Sequence, residues 1–163
     1  MGAVEIVADP GGSIVLDDRY EPILIATWFG APGAESIRRF FAWNDAVLAR
    51  ARLRGGYVLI TDSNEAKRPA PLERRLISEL TAAMPEDATA LNVGNYVVLN
   101  NPLIRGALTA MQWLSPSPWA ITTVASCAEA ITRSLADLEQ AKLSAPSGLV
   151  AADYKAPPRP EST

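Results

Sequence analysis

The sequence predicts an α/β fold: one domain with a mixed sheet of about five or six strands, mainly parallel, an N-terminal antiparallel hairpin and about four helices. Two observations predict it. From residue 57 onwards, short apolar runs alternate with segments of helical period. Before residue 31, only strand-like runs occur, and turn residues separate them. A chain of 163 residues with 48% hydrophobic residues is long enough to bury one core.

The first apolar runs predict strands joined by turns. They are VEIVA (4–8), SIVL (13–16) and PILIATWF (22–29). Asp9-Pro10-Gly11-Gly12 separates the first two runs, and a polar segment at residues 17–20 separates the next two. Such spacing is typical of antiparallel neighbours.

The segment after Gly30 changes to a helical period. Acidic Glu35 lies at its start, and arginines crowd the turn before Gly55-Gly56, as the helix dipole favours. The apolar positions of this helix are Ile37, Phe40, Phe41, Val47, Leu48 and Ala51.

The rest of the chain alternates strand and helix. YVLIT (57–61), NYVVLN (95–100) and WAITTVA (119–125) are the predicted strands. Pro71 and Pro102 open the helices after the first two, and Ser126 with Glu129 has the spacing of a capping box before the last. Right-handed crossovers between these strands predict a parallel sheet.

Composition excludes several function classes. The formal net charge of −3 gives no field that would concentrate nucleic acid, so we expect no nucleic-acid partner. No histidine and one cysteine remove the usual zinc and copper ligands and the histidine-dependent nucleophile systems. We expect no cofactor. No run of 18 apolar residues and no secretory signal occur, so a cytoplasmic protein without a transmembrane segment is expected.

A compositional break near Leu143 predicts the domain boundary. Residues 144–163 are rich in Pro, Ala and Ser, which offer little apolar surface to bury. The sequence therefore predicts an α/β domain over residues 1–143 and a flexible or loosely docked tail over 144–163.

The stretch LITDSNEAKRPAPLERR, residues 59–75, is the first candidate site. Ligands of open α/β sheets collect beyond the carboxyl ends of the strands, and the predicted loop at 61–70 is the longest and most polar of these. Asp and Asn also favour turns, so a structural turn remains the alternative. The candidate residues for docking a partner are Asp62, Ser63, Glu65, Lys67, Arg68, Arg74 and Arg75.

Two serines and the cysteine are further candidates. Ser63 and Ser36 are candidate phosphoacceptors, because a helix start stabilises a phosphate; a solvent-facing serine is the alternative. Cys127 lies in the first turn of the last helix, where a thiol pKa is often lowered. It has no partner base in the sequence, which favours a structural role.

The tryptophans are a second candidate site. Trp113 and Trp119 bracket the segment LSPSP, and Trp28 ends a predicted strand. Most tryptophans belong to a core, but aromatic residues are also enriched at interfaces. Trp28, Trp113 and Trp119 are therefore candidates for an apolar ligand pocket or interface.

The segments GGYVLITDSNE, NYVVLNNPLIRGALTAMQWL and WAITTVASCAEAITRSL give the chain a family resemblance. In this order they resemble the STAS domain family, the fold of sulfate transporters and anti-sigma-factor antagonists, in particular its SpoIIAA-like or STAS/Sec14-like branch. The resemblance covers about residues 4–140.

The resemblance implies a non-enzymatic, bacterial-type domain with a regulatory or scaffolding role. It implies docking to a protein partner, and self-association stays open. Some family members carry a switchable serine at the start of the helix after the central strand. Here that helix opens with Arg68-Pro69-Ala70-Pro71 and has no serine before Ser78, and Ser63 lies a few residues early.

Three functions therefore stay open at the level of the sequence. The first is a protein interaction domain that docks through residues 62–75. The second is a carrier of an apolar small molecule or lipid, with its pocket near Trp28, Trp113 and Trp119. The third, a remote alternative, is an enzyme that uses Asp62 or Glu65 with Mg²⁺.

Overall fold

The computed structural model describes residues 2–106 and 119–158. Within these residues, six strands form one sheet. Their bounds are β1 Val4–Asp9, β2 Gly12–Asp17, β3 Ile23–Gly30, β4 Tyr57–Ala66, β5 Asn92–Val98 and β6 Thr122–Val124.

The strands lie in the sheet in the order in which they occur in the chain. β1, β2 and β3 pair antiparallel, and β3, β4, β5 and β6 pair parallel. The predicted fold class, a mixed α/β sheet that is parallel after an antiparallel N-terminal part, is therefore confirmed.

Four bounded helices accompany the sheet in the described residues. They are α1 Ala34–Arg54, α2 Pro71–Ala82, α3 Asp87–Leu91 and α4 Cys127–Gln140, and residues 102–106 are also helical. The short α3 has no counterpart in the sequence-based prediction. In the described part of the chain, none of the helices combines the length and the hydropathy of a membrane span.

Helix α1 begins at a cap supplied from the β1–β2 turn. The carboxylate of Asp9 accepts hydrogen bonds from the N–H of Gly33 and from the hydroxyl of Ser36, both at 2.6 Å. Gly33 occupies the N-cap position but has no side chain to accept a hydrogen bond, so the carboxylate of Asp9 takes that role. At the other end Gly55, at φ 107°, donates its N–H to the carbonyl of Ala51, the left-handed ending that glycine favours.

Each face of the sheet has its own core. Helix α1 covers the face that contains Leu16, Leu24 and Ala26. Helix α4 covers the opposite face. The apolar runs of β3 and β4 are buried from both sides, which explains their near-continuous hydrophobicity. The residues of α4 and the sheet in the second core include Ile23, Ile25, Val58, Ile60, Val98, Val124, Ile131 and Leu138.

The chain after α4 packs on this second face. Leu149, Ala151 and Tyr154 contact the core beside β3, and the hydroxyl of Tyr154 donates to Asp17 at 3.2 Å. The rings of Tyr154 and Tyr20 meet edge to face, with their centroids 6.2 Å apart. The part of the predicted tail over 144–158 thus packs on the domain, and residues 159–163 lie outside the described chain.

Three strands differ from their predictions by more than one residue, and one of them, β5, spans Asn92–Val98 instead of 95–100. β4 continues through residues 62–66, because the backbone of Glu65 and Ala66 still pairs with Phe29 and Gly30 of β3. The prediction of a loop from residue 61 to 70 is therefore wrong over its first half. β6 has only three residues, shorter than the predicted run 119–125.

Candidate functional site

An apolar cavity lies between the sheet and the helices of the α1 side. Its volume is about 310 Å³, at the small end of the range of about 300–1,000 Å³ for ligand pockets. The described residues that line it are Trp28, Phe40, Phe41, Asn44, Tyr57, Leu59, Thr61, Ile77, Thr81, Met84, Asn95, Val97, Trp119 and Ile121.

Alternation along the strands places the floor of this cavity. Leu59 and Thr61 of β4 and Asn95 and Val97 of β5 are two residues apart, so each pair faces the same side of the sheet. Their intervening neighbours Ile60 and Tyr96 belong to the opposite core. The cavity therefore sits on the α1 face of two adjacent parallel strands.

Aromatic rings of β3 and α1 form one wall. Phe40 contacts Trp28 edge to face at 5.3 Å and Phe41 at 5.4 Å between ring centroids. These are favourable aromatic geometries that fix each ring in place. The wall is thus built from packed rings on two regular elements.

Helix α2 and the residues after it form the other wall through Ile77, Thr81 and Met84. No residue of α2 is fully buried. Leu72 is 78% exposed. This wall is therefore less tightly packed than the one formed by α1.

Two polar side chains of the lining are engaged within their own helices, and the hydroxyl of Tyr57 donates to the carbonyl of Ala88 at 3.4 Å. Asn44 donates to the carbonyl of Phe40 at 3.0 Å, and Thr81 donates to the carbonyl of Ile77 at 2.7 Å. Burial raises the pKa of Tyr57 above its ordinary value, so its phenol stays neutral. No carboxylate, ammonium or guanidinium occurs among the described lining residues. The described part of the cavity wall is therefore uncharged and largely apolar.

The structure brings two of the predicted tryptophans, Trp28 and Trp119, into this one cavity. Trp113 lies outside the described residues. The cavity is also lined by Phe40 and Phe41 and by the alternating Leu59 and Thr61, which were not predicted to face a ligand. Strand alternation in YVLIT was the available signal for the latter pair.

The acidic candidates lie on the opposite face of the sheet. Asp62 accepts hydrogen bonds from the N–H of Asn64 at 3.1 Å and from the Cys127 thiol at 3.4 Å. A shift in the β3–β4 register follows Asp62, and Asp62 and Glu65 both border a cavity of about 260 Å³ beside Ala156 and the prolines after it. The C-terminal segment thus lies against these two carboxylates.

The basic candidates lie in and before the first turns of α2. Arg74 donates to the carbonyl of Pro69 at 2.8 Å, and Arg75 pairs with Glu79 at 2.9 Å. Lys67 and Arg68 are exposed and form no ion pair with any described residue. The predicted docking residues are therefore divided between the two faces.

The serine and cysteine candidates have different surroundings from those expected. Ser36 is 1% exposed and donates to Asp9, so the expectation of an accessible phosphoacceptor at this position is wrong. Ser63 is a half-buried residue of β4, and its phosphorylation stays a prediction. Burial and the neighbouring Asp62 raise the pKa of Cys127 to about 12, the opposite of a thiol activated by a helix start.

In the described part of the chain, no group of three or more His, Cys, Asp or Glu side chains is placed to hold a metal ion. No protein-family model matches the chain, and the curated proteins give no match either. The resemblance to the STAS family therefore stays a prediction.

Proposed function

We propose that this chain is a non-enzymatic binding protein that holds a small, uncharged apolar molecule in the cavity between the sheet and helices α1 and α2. The observation that carries the proposal is the lining: its described residues are mostly aromatic and aliphatic, with a few uncharged polar side chains and no charged group. Pockets of this kind bind by burial of apolar area. This was the second of the three functions left open by the sequence.

The chemistry of the lining narrows the ligand class. A carboxylate or amine would lose its hydration without gaining an opposite charge there, so charged ligands are disfavoured. The volume suits a small ring system or part of an acyl chain. A ligand that enters here meets rigid rings on the α1 side and the less buried α2 on the other.

Native mass spectrometry of gently purified protein tests the proposal. We expect an extra mass that organic extraction removes. Thr61→Phe fills the cavity from β4 with a residue that strands tolerate well, so this variant should lose the extra mass. Thr122→Phe, at an exposed position of β6, is the matched control and should keep it.

Two results would contradict the proposal. If the wild type is ligand-free and takes up neither decanol nor 1-naphthol on titration, the cavity has no binding role. Equal uptake by wild type and Thr61→Phe would place the binding elsewhere.

A second candidate function, docking of a protein partner through residues 62–75, is favoured by one observation. Leu72 is exposed, and Lys67 and Arg68 on the same connection have no described ionic partner. An exposed leucine beside free cations suits an acidic segment with an apolar anchor. A regulatory or scaffolding role, as implied by the family resemblance, would act through such a segment.

Charge reversal tests this second candidate. Lys67→Glu with Arg68→Glu should abolish capture of an acidic, leucine-containing peptide, whereas Arg38→Glu with Lys155→Glu, at exposed positions elsewhere, should leave it intact. Arg74 and Arg75 are poorer probes because both already make contacts within the α2 region. Equal capture by the two double variants would refute docking at this surface.

A further inference from the structure

β1 is the first strand of the sheet and pairs with β2 along one side. Within the described residues, nothing pairs with its outer side. The strand runs over Val4–Asp9 in continuous register, with each residue opposite one of β2. It contains no lysine, no proline and no bulge, the devices by which edge strands usually avoid further pairing.

The turn determines which backbone groups face outward. Asp9 and Gly12 face each other across a two-residue connection, so they form a hydrogen-bonded pair. Hydrogen-bonded pairs alternate along an antiparallel ladder. The N–H and C=O groups of Val4, Ile6 and Ala8 therefore point away from β2.

The same three residues carry the exposed side chains of the strand. Val4 is 37% and Ile6 50% exposed, and Ala8 is exposed as well. They lie on the face opposite α1, and Ile6 is beside the fully buried Val15 of β2. The outward edge is thus apolar and carries a row of free backbone groups.

The two carboxylates of β1 lie on the α1 face of the sheet and already have hydrogen-bond partners. Glu5 makes a two-pronged contact with Arg39 of α1, with both N–O distances at 2.6 Å. Asp9 caps α1. The outer face of the edge consequently carries no charge that would oppose an identical neighbour.

We propose that β1 is the interface through which two copies of this chain associate, as antiparallel strands related by a two-fold axis at Ile6. In this register Val4 of one copy lies opposite Ala8 of the other. Every outward N–H of one strand then meets an outward C=O of its partner. Centring the axis on Val4 or Ala8 would leave outward groups unpaired, so the geometry selects Ile6.

The charges on β1 and a two-fold symmetry are both compatible with pairing to a second copy of the chain. Glu5 lies opposite Val7 of the second copy and Asp9 opposite Ala3, so no carboxylate faces another. A two-fold interface uses the same patch twice and closes after two copies. The association therefore ends at a dimer with one continuous sheet.

Sedimentation of the full chain tests the dimer. We expect a dimer for the wild type at about 100 μM, which requires a dissociation constant below that concentration. Ile6→Lys places a charge on the edge and should give a monomer that still unfolds in one cooperative thermal transition. Val150→Lys, at a similarly exposed valine in the C-terminal segment, should remain a dimer. A monomeric wild type, or a dimeric Ile6→Lys, would overturn the proposal.

Cysteine crosslinking tests the register in a Cys127→Ser background. Facing residues in a hydrogen-bonded pair lie about 5.5 Å apart at Cα, within disulfide reach. Ile6→Cys should crosslink to itself, and Val4→Cys should crosslink only when mixed with Ala8→Cys. Two copies of Val4 would be roughly 14 Å apart, four residues along the strand. Self-crosslinking of Val4→Cys as fast as that of Ile6→Cys would exclude this register.

Discussion

Asp9 is the residue on which the start of α1 depends. Its carboxylate accepts hydrogen bonds from the N–H groups of Gly11 and Gly12 in its own turn and from Gly33 and Ser36 across the structure. Burial opposes ionisation of Asp9, but these hydrogen bonds outweigh it and hold the pKa below the ordinary value. One side chain thus joins the β1–β2 hairpin to the first helix.

We predict that Asp9→Ala lowers the free energy of unfolding by about 1–2 kcal/mol at pH 7, the usual loss for a helix cap. Asp45→Ala, at an exposed position of the same helix, should change it by less than about 0.5 kcal/mol. Chemical denaturation of the two variants measures the difference.

The same variant has a defined pH dependence. Because the pKa of Asp9 is lower in the folded than in the unfolded chain, its stabilisation is complete above the unfolded value and is lost as the pH falls through the folded one. The difference between wild type and Asp9→Ala should therefore shrink below about pH 4. A constant difference from pH 7 to pH 3 would contradict this role of the carboxylate.

Among the residues, local signals were predictable and long-range partners were not. Ser126 accepts from the N–H of Glu129 at 3.1 Å, as the capping box predicts, and Glu129 returns a contact to the N–H of Ala125. The sequence predicts only a turn role for Asp9, because its partners in α1, Gly33 and Ser36, lie more than 20 positions away. The raised pKa of Cys127 could not be predicted for the same reason, because its burial and its contact with Asp62 of β4 depend on the fold.

At the level of elements, the C-terminal segment was predicted to be flexible or loosely docked, and part of it packs on the domain. Its composition predicts that it buries little surface. A few apolar side chains are nevertheless enough to pack it on the domain, because β2 and β3 leave a strip of the sheet beside α4 uncovered. Leu149 and Tyr154 fill that strip, while their neighbour Val150 is exposed. The segment therefore covers a part of this face of the sheet that no helix of the described residues covers.

We predict that Leu149→Ala lowers the free energy of unfolding by about 1–3 kcal/mol, within the cost of removing a partly buried leucine. Val150→Ala should change it little. Truncation after Leu143 should cost more than Leu149→Ala, because it also removes the ring of Tyr154 and its hydrogen bond to Asp17. An unchanged denaturation midpoint after truncation would show that the segment does not contribute to the fold.

Element boundaries followed from periodicity where side chains decide them. α1 and the apolar part of β4 were predictable because their buried residues recur at the period of a helix or as a continuous run. The extension of β4 through polar residues 62–66 was not, since backbone pairing with β3 holds it and side chains contribute no pattern. The exposure of Leu72 in α2 likewise depends on what the neighbouring elements cover.

For the whole molecule, the alternation of strands and helices was enough to predict a mixed sheet with parallel later strands. The proposed function depends on where the faces of that sheet are left open. The α1 face retains an apolar cavity, and the residues that close it come from β3, β4, β5, α1 and the chain around α2. No single stretch of sequence contains that site, whereas residues 62–75 form one contiguous polar stretch and were therefore the first candidate.

Indole N–H signals in an NMR titration with decanol or 1-naphthol test the central claim most directly, because Trp28 and Trp119 both line the cavity. We expect saturable shifts of these two signals, assigned through Trp→Phe variants, and no such shifts in Thr61→Phe. Thr122→Phe should behave as the wild type. Signals that stay unchanged up to the solubility limit of both probes, or that shift equally in Thr61→Phe, would contradict the assignment of the cavity as a binding site.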